Sequence, residues 1–161
     1  VDRSVKIAGA LACAAFVLCP AVGTAEINPS IRVPPGWVKI AATHSGSRAW
    51  RRNRELLEVD IQNNGERLPL VSFINHVVLP DSNSHGAHVI RSAATTTCAG
   101  RRRAWRVVLS LPVRPAVHAV VDAIITVSGN HAYVASYARL PTSPPSPDAE
   151  RAIRSLCLKR I

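Results

Sequence analysis

The segment Val117-His118-Ala119-Val120-Val121-Asp122-Ala123-Ile124-Ile125-Thr126-Val127-Ser128-Gly129-Asn130-His131-Ala132-Tyr133-Val134-Ala135-Ser136-Tyr137-Ala138-Arg139-Leu140 holds the strongest fold signal in the chain. Two runs rich in β-branched and aromatic residues, Val117 to Val127 and Ala132 to Leu140, flank the polar turn Ser128-Gly129-Asn130-His131. Such runs around a Gly-Asn turn predict a β-hairpin.

Reading upstream, Arg101 to Leu111 is a further strand, with Trp105, Val107, Leu109 and Leu111 on one face. His88 to Thr95 is another, preceded by a polar loop over Pro80 to Gly86. Leu70, Phe73, Ile74, Val77 and Val78 recur at helical spacing behind Pro69 and predict a helix over Pro69 to Val78, with a strand as the alternative. Leu57, Val59 and Ile61 alternate with Glu58, Asp60 and Gln62, a strand with one wet face that ends at the turn Asn63-Asn64-Gly65. Arg48 to Glu55 is polar and basic and reads as a loop or a short helical turn. Val33-Pro34-Pro35-Gly36-Trp37 is a turn into a first strand, Trp37 to Ala42, with Trp37 buried.

Downstream, Thr142 to Pro147 is a Pro/Ser connector. Ser146 is placed to cap a final helix with Pro147 at its first position and Asp148 at its positive end. Ala149, Ala152, Ile153, Leu156 and Cys157 form its apolar stripe, pointing Cys157 toward the sheet, while Arg151 and Arg154 lie off it. The sum is an α+β fold: a twisted, mostly antiparallel sheet packed with helices, including one at the C-terminus.

The N-terminal residues read as a cleavable export signal. Arg3 and Lys6 precede an uncharged apolar stretch from Ile7 to Val22, broken at Pro20, and the small residues Gly23 and Ala25 fit the cleavage pattern. Cleavage after Ala25 leaves Glu26 as the new N-terminus. A membrane anchor needs about 20 apolar residues, more than this run offers. A lipid on Cys13 or Cys19 is the lesser export variant, and neither cysteine has the flanking residues it requires. The chain contains no Met, and an Arg-, Ala- and Pro-rich composition with Val1 as a GTG start suits a bacterial source. The expected location is therefore periplasmic or secreted, with residues 1–25 as signal and residues 26–161 as one basic domain.

The 161 residues carry a net charge of +10, and loss of Arg3, Lys6 and Asp2 with the signal leaves it near +9. That balance speaks of anionic partners, not of fold. Of four cysteines, Cys98 and Cys157 remain after cleavage. An even pair in an oxidising compartment predicts a disulfide, and their wide separation excludes a Cys-x-x-Cys redox motif.

The turn Pro34-Pro35-Gly36-Trp37, the late strand Ala132-Tyr133-Val134-Ala135-Ser136-Tyr137 and the closing helix Ala149-Glu150-Arg151-Ala152-Ile153-Arg154-Ser155-Leu156 together resemble PsbP-like proteins. That family includes the extrinsic protein of photosystem II and exported bacterial relatives. The resemblance implies an antiparallel sheet between helices and a scaffold that docks on other macromolecules, usually without catalysis. It transfers no functional residue, because the matching positions are packing positions.

Three groups of residues are candidates for chemistry. Arg48, Arg51, Arg52 and Arg54 surround Trp50, and Arg101, Arg102, Arg103 and Arg106 surround Trp105. Basic side chains interleaved with an aromatic can grip phosphates and stack on rings; the alternative is solvated basic loops beside two core tryptophans. Asp81, His85 and His88 carry metal-ligand chemistry, but lack a fourth ligand and the spacing of a metalloprotease helix. His118, Asp122 and a serine offer triad residue types without a Gly-x-Ser-x-Gly elbow. The reading that follows is a non-catalytic binding or accessory module that docks on an anionic macromolecule or envelope surface. The alternative is a metal-assisted hydrolase built on Asp81, His85 and His88. No cofactor is expected, and nucleic acid is set aside because no nucleic-acid motif is present.

Overall fold

Buried side chains fall on both faces of the central strands, so each side of the sheet needs a helical cover. The computed structural model has this arrangement. It describes residues 27–160 except 43 and 45, so the expected signal segment and the expected N-terminus at Glu26 lie outside the described residues. The strands are β1 (Ile27–Ser30), β2 (Val38–Ile40), β3 (Arg48–Arg52), β4 (Glu55–Asn63), β5 (His88–Thr97), β6 (Arg102–Arg114), β7 (Val117–Ser128), β8 (His131–Arg139) and β9 (Cys157–Arg160). The helices are α1 (Leu70–Phe73), a π-helical turn (Ile74–Val78), α2 (Leu79–Ser84) and α3 (Pro147–Arg154). Seven strands form one sheet in the order β2-β3-β4-β8-β7-β6-β5, and β1 pairs with β9 apart from it; every pairing is antiparallel. The result is a sheet-dominated α+β fold.

The hairpin predicted from Val117 to Leu140 is β7–β8, closed at Gly129-Asn130, with Ser128 opposite His131. Alternation sends Val121, Ala123 and Ile125 to one face and Ile124 to the other. On the first face Phe73, Ile74 and Val78 of the α1–α2 segment pack on Val107, Leu109, Leu111 and Val134, with alanines 119, 123, 132 and 138 allowing close approach. On the second face Ala149, Ala152 and Ile153 of α3, followed by Leu156, pack on Leu57, Val59, Ile124, Ala135 and Tyr137. Burying a Leu, Ile or Phe side chain stabilises by about 1.5–3 kcal/mol.

Several expectations are corrected. Arg48 to Glu55 is not a loop but β3 and its turn into β4, with Asn53 at φ 54° supplying the bend. β4 has no wet face at its centre: Leu56, Leu57, Glu58 and Val59 are all buried, because β3 and β8 flank the strand and helices lie above and below. The helix expected to stop at Val78 continues to Ser84. Pro80 lacks the N–H that would bond to the His76 carbonyl, and the wider π-helical turn just before it absorbs that loss, so the chain stays helical through the predicted loop. At the C-terminus, α3 ends at Arg154 and Cys157 opens β9 instead of completing the helical stripe. Ser146 makes no side-chain cap; Asp148 Oδ1 accepts the Ala149 N–H at 2.9 Å.

Candidate functional site

Cys98 and Cys157 are joined by a disulfide, as their number and compartment led one to expect. The bridge ties the end of β5 to the start of β9. Beside it, the Thr97 hydroxyl lies 2.8 Å from the carbonyls of both Arg154 and Leu156, closing off the exit of α3. The approach to β2 is anchored to the same place: the Arg32 N–H donates to Ser155 Oγ at 2.7 Å, and the Ser155 hydroxyl donates to the Ala152 carbonyl at 2.6 Å. Three chain segments distant in sequence are thereby fixed around one cleft of about 660 Å³.

Arg32, Arg101, Arg151 and Arg154 line the cleft, all four exposed, over apolar surface from Val33, Pro34, Pro35 and Ala99, with the buried Ala152 beneath. Its carboxylate, Asp148, is already engaged. Arg52 Nη1 donates to Asp148 Oδ2 at 2.7 Å, and Arg52 Nη2 donates to Ser146 Oγ at 2.7 Å. The bond from Arg52 above all, and then the bond that the Ser146 hydroxyl donates to Asp148 Oδ1, hold the Asp148 carboxyl well below the usual carboxylate range. None of the four cleft arginines has an ion-pair partner among the described residues.

The two arginine clusters read from the sequence are divided by the fold. Arg52 also pairs with Glu55 at 3.1 Å, and its guanidinium lies 4.7 Å from the Trp37 ring centroid. Arg48 donates to Asn28 Oδ1 at 3.2 Å and to the Pro29 carbonyl. Arg106 donates to Asp122 Oδ1 at 2.9 Å, with Glu150 at 3.6 Å, and the bond to Asp122 raises its pKa. Arg102 donates to Thr126 Oγ1 at 2.9 Å and to the Val127 carbonyl at 2.7 Å. Arg51 is half-buried, whereas Arg54, Arg101 and Arg103 are exposed. Of the eight, Arg101 is the one that lines the cleft. Both tryptophans are half-buried: Trp50 packs on the α3 side of the sheet, and Trp105 packs on the other side with its Nε1–H on Ser92 Oγ at 2.8 Å.

Arg32, Arg151 and Arg154 were missed because each belongs to no basic run. One signal was available: Arg101 follows Cys98 by three residues and Arg154 precedes Cys157 by three, so a bridge between the cysteines draws both arginines to one place.

The histidine group does not assemble. Asp81 and His85 stack one turn apart at the end of α2, Oδ1 to Nδ1 3.6 Å, whereas His88 starts β5 and is exposed. Among the described residues, no three His, Cys, Asp or Glu side chains gather as a metal site. His118 is exposed at the start of β7, and Asp122 is bound to Arg106, so those two do not form the core of a triad. No helix among the described residues is long and apolar enough to cross a membrane.

No protein-family model matches the chain, and no curated protein matches it by sequence. Solved structures match by fold. LpqN, described as involved in cell envelope biogenesis of Mycobacterium tuberculosis, is similar over 85% of this chain and 86% of its own, with a TM-score of 0.56 at 12% identity. A protein from Bacteroides thetaiotaomicron is similar over 82% of this chain with a TM-score of 0.52 at 14% identity; the match spans 45% of that protein's length. The cyanobacterial PsbP protein of Synechocystis is similar over 76% of this chain and 85% of its own, with a TM-score of 0.45 at 13% identity.

Proposed function

We propose that this protein is an exported, non-catalytic module that docks on an anionic macromolecule or envelope surface, with the arginine-lined cleft as its contact. The observation that carries this reading is the set Arg32, Arg101, Arg151 and Arg154 around one cavity whose carboxylate is neutralised by Arg52. Guanidiniums without an ion-pair partner, carried by a cross-linked backbone, attract anions without the cost of ordering flexible loops; Arg101 Nε donates to the Cys98 carbonyl at 3.3 Å and keeps its other N–H groups for a ligand. The exposed Arg54 and Arg103, outside the cleft, add to the field. The disulfide suits export, with residues 1–25 as the signal and residues 26–161 as one domain. The fold that this chain has in common with an envelope-biogenesis protein supports an accessory role in the periplasm or outside the cell.

Retention on immobilised heparin, a generic polyanion, tests the reading. The protein should elute at a salt concentration well above that of a neutral control. Arg101→Gln with Arg151→Gln should lower that concentration, because counterion release and screening make such binding salt-dependent. Elution in the void volume at low salt would remove the anion-binding reading.

A further inference from the structure

The cleft is not lined like a simple polyanion groove. Its arginines stand around apolar surface: Val33, Pro34 and Pro35, and Ala99 at the disulfide turn. A linear polyanion needs charge along its track and gains nothing from an apolar wall. An amphiphile gains from both. The cavity, about 660 Å³, lies within the range of small-molecule sites, roughly 300–1,000 Å³. Its frame is locked by the Cys98–Cys157 bridge and by the bonds of Thr97 and Ser155, so the backbone segments that carry the arginines are held together.

We propose that the cleft seats the phosphate headgroup of an acidic phospholipid at a membrane surface. Guanidinium groups take the phosphate oxygens as paired hydrogen bonds, and the Val33-Pro34-Pro35 wall, with Ala99, takes the glycerol and the first methylenes of the lipid. The contact is peripheral: one headgroup is held at the cleft. The proposal rests on the anion-docking reading and narrows it from any polyanion to a lipid.

The test uses the disulfide-bonded protein with phosphatidylcholine vesicles, with and without phosphatidylglycerol, at physiological ionic strength. Binding should require phosphatidylglycerol. Arg151→Gln and Arg154→Gln should each weaken it about fivefold, the fold-change matching roughly 1 kcal/mol per basic residue at an acidic surface. Arg114→Gln serves as the control. Arg114 is exposed at the opposite end of β6 from Arg102, some 12 strand residues or roughly 40 Å away, several Debye lengths at this salt, and its loss should change binding less than twofold. Ala99→Glu places a carboxylate on the cleft wall at an exposed turn position and should abolish binding. All four positions are exposed, and an unchanged thermal midpoint certifies that each variant is folded.

Equal losses from Arg114→Gln and Arg151→Gln would overturn the cleft assignment in favour of diffuse charge. Retention on heparin without binding to phosphatidylglycerol vesicles would overturn the lipid and leave the docking reading standing; failure on both would remove both. Free glycerol phosphate that binds as tightly as the vesicles, with the same dependence on Arg151, would make the ligand a soluble phosphate and overturn the membrane surface as its source.

Discussion

Asp148 separates two kinds of arginine. On its inner side Arg52 is held by Asp148, Glu55 and Ser146 and lies over Trp37. On its outer side Arg32, Arg101, Arg151 and Arg154 border the same cleft with no carboxylate of their own. The inner arginine joins β3 to the start of α3 and finishes a polar network. Tyr137 is part of that network: its hydroxyl donates to Glu55 and accepts the Ser146 N–H at 3.2 Å, and burial first, then the bond to Glu55, pushes its pKa up. Among the described residues the outer arginines join no ion pair, and Arg101 alone of them bonds within the turn, from Nε to the Cys98 carbonyl at 3.3 Å. The difference teaches that basic residues adjacent in sequence need not act together. β3 and β6 point alternate residues to opposite faces, and the carboxylates of one face claim Arg52 and Arg106 for structure.

The largest break in this comparison removes the frame and leaves the inner network intact. Replacing Cys98 and Cys157 together by Ser frees β9 and the exit of α3 from the end of β5. The bridged residues are 59 apart, and the chain-entropy model gives on the order of 4 kcal/mol for a loop of that size. Urea unfolding of the double variant should show that loss, and anion binding should fall with it. A loss under about 1 kcal/mol would mean that Thr97 and the β1–β9 pairing hold the cleft without the bridge.

A smaller break attacks the inner arginine. Arg52→Ala strands Asp148 and Glu55 without their cation and removes the contact with Trp37. Hydrogen bonds to charged groups contribute about 1.5–3 kcal/mol, and Arg52 is about a quarter exposed, so a loss of about 2 kcal/mol in urea unfolding is expected. The acid limb provides a second readout. Asp148 titrates lower in the folded protein than in the unfolded chain, where it is near 3.9. Its contribution is therefore present above about pH 4 and is lost as the pH falls through the lower folded value. In Arg52→Ala that acid-dependent loss should shrink; an unchanged acid limb would show that Asp148 owes its stabilisation to Ser146 and Ala149.

How much of this was legible depends on where each element keeps its information. The β7–β8 hairpin carries its pattern and its turn within one segment, so it was readable. So was the start of α3 at Ser146-Pro147. β3 was not, because Arg48, Arg51 and Arg52 drown the single buried Ala49 in charge, although Asn53 sits where the bend falls. β4 was read with one wet face because its second cover, α3, comes from the far end of the chain. The β1–β9 pairing joins Ile27–Ser30 to Cys157–Arg160, and nothing local predicts it. The cleft was half legible: the disulfide was expected, and its three-residue offsets to Arg101 and Arg154 were there to be read. Arg32 reaches the site through its backbone bond to Ser155, which leaves no trace in composition.

The smallest expected effect sharpens the comparison most. Arg151→Gln with Arg154→Gln should change unfolding free energy by no more than about 0.5 kcal/mol, the usual limit for surface positions away from structural features. Two opposing terms support a value near zero. Both arginines lie in the last turn of α3, where a cation interacts favourably with the helix C-terminus by about 0.3–1 kcal/mol. Against that, they are three residues apart and share the cleft with Arg32 and Arg101; like charges at that spacing cost a few tenths of a kcal/mol per pair. Because repulsion among exposed charges is screened, added salt should stabilise the unmodified protein slightly more than the double variant. The same pair of substitutions should weaken anion binding strongly. Stability unchanged with binding lost marks residues kept for a ligand, whereas a loss above about 1.5 kcal/mol would place Arg151 and Arg154 with Arg52 among the structural arginines.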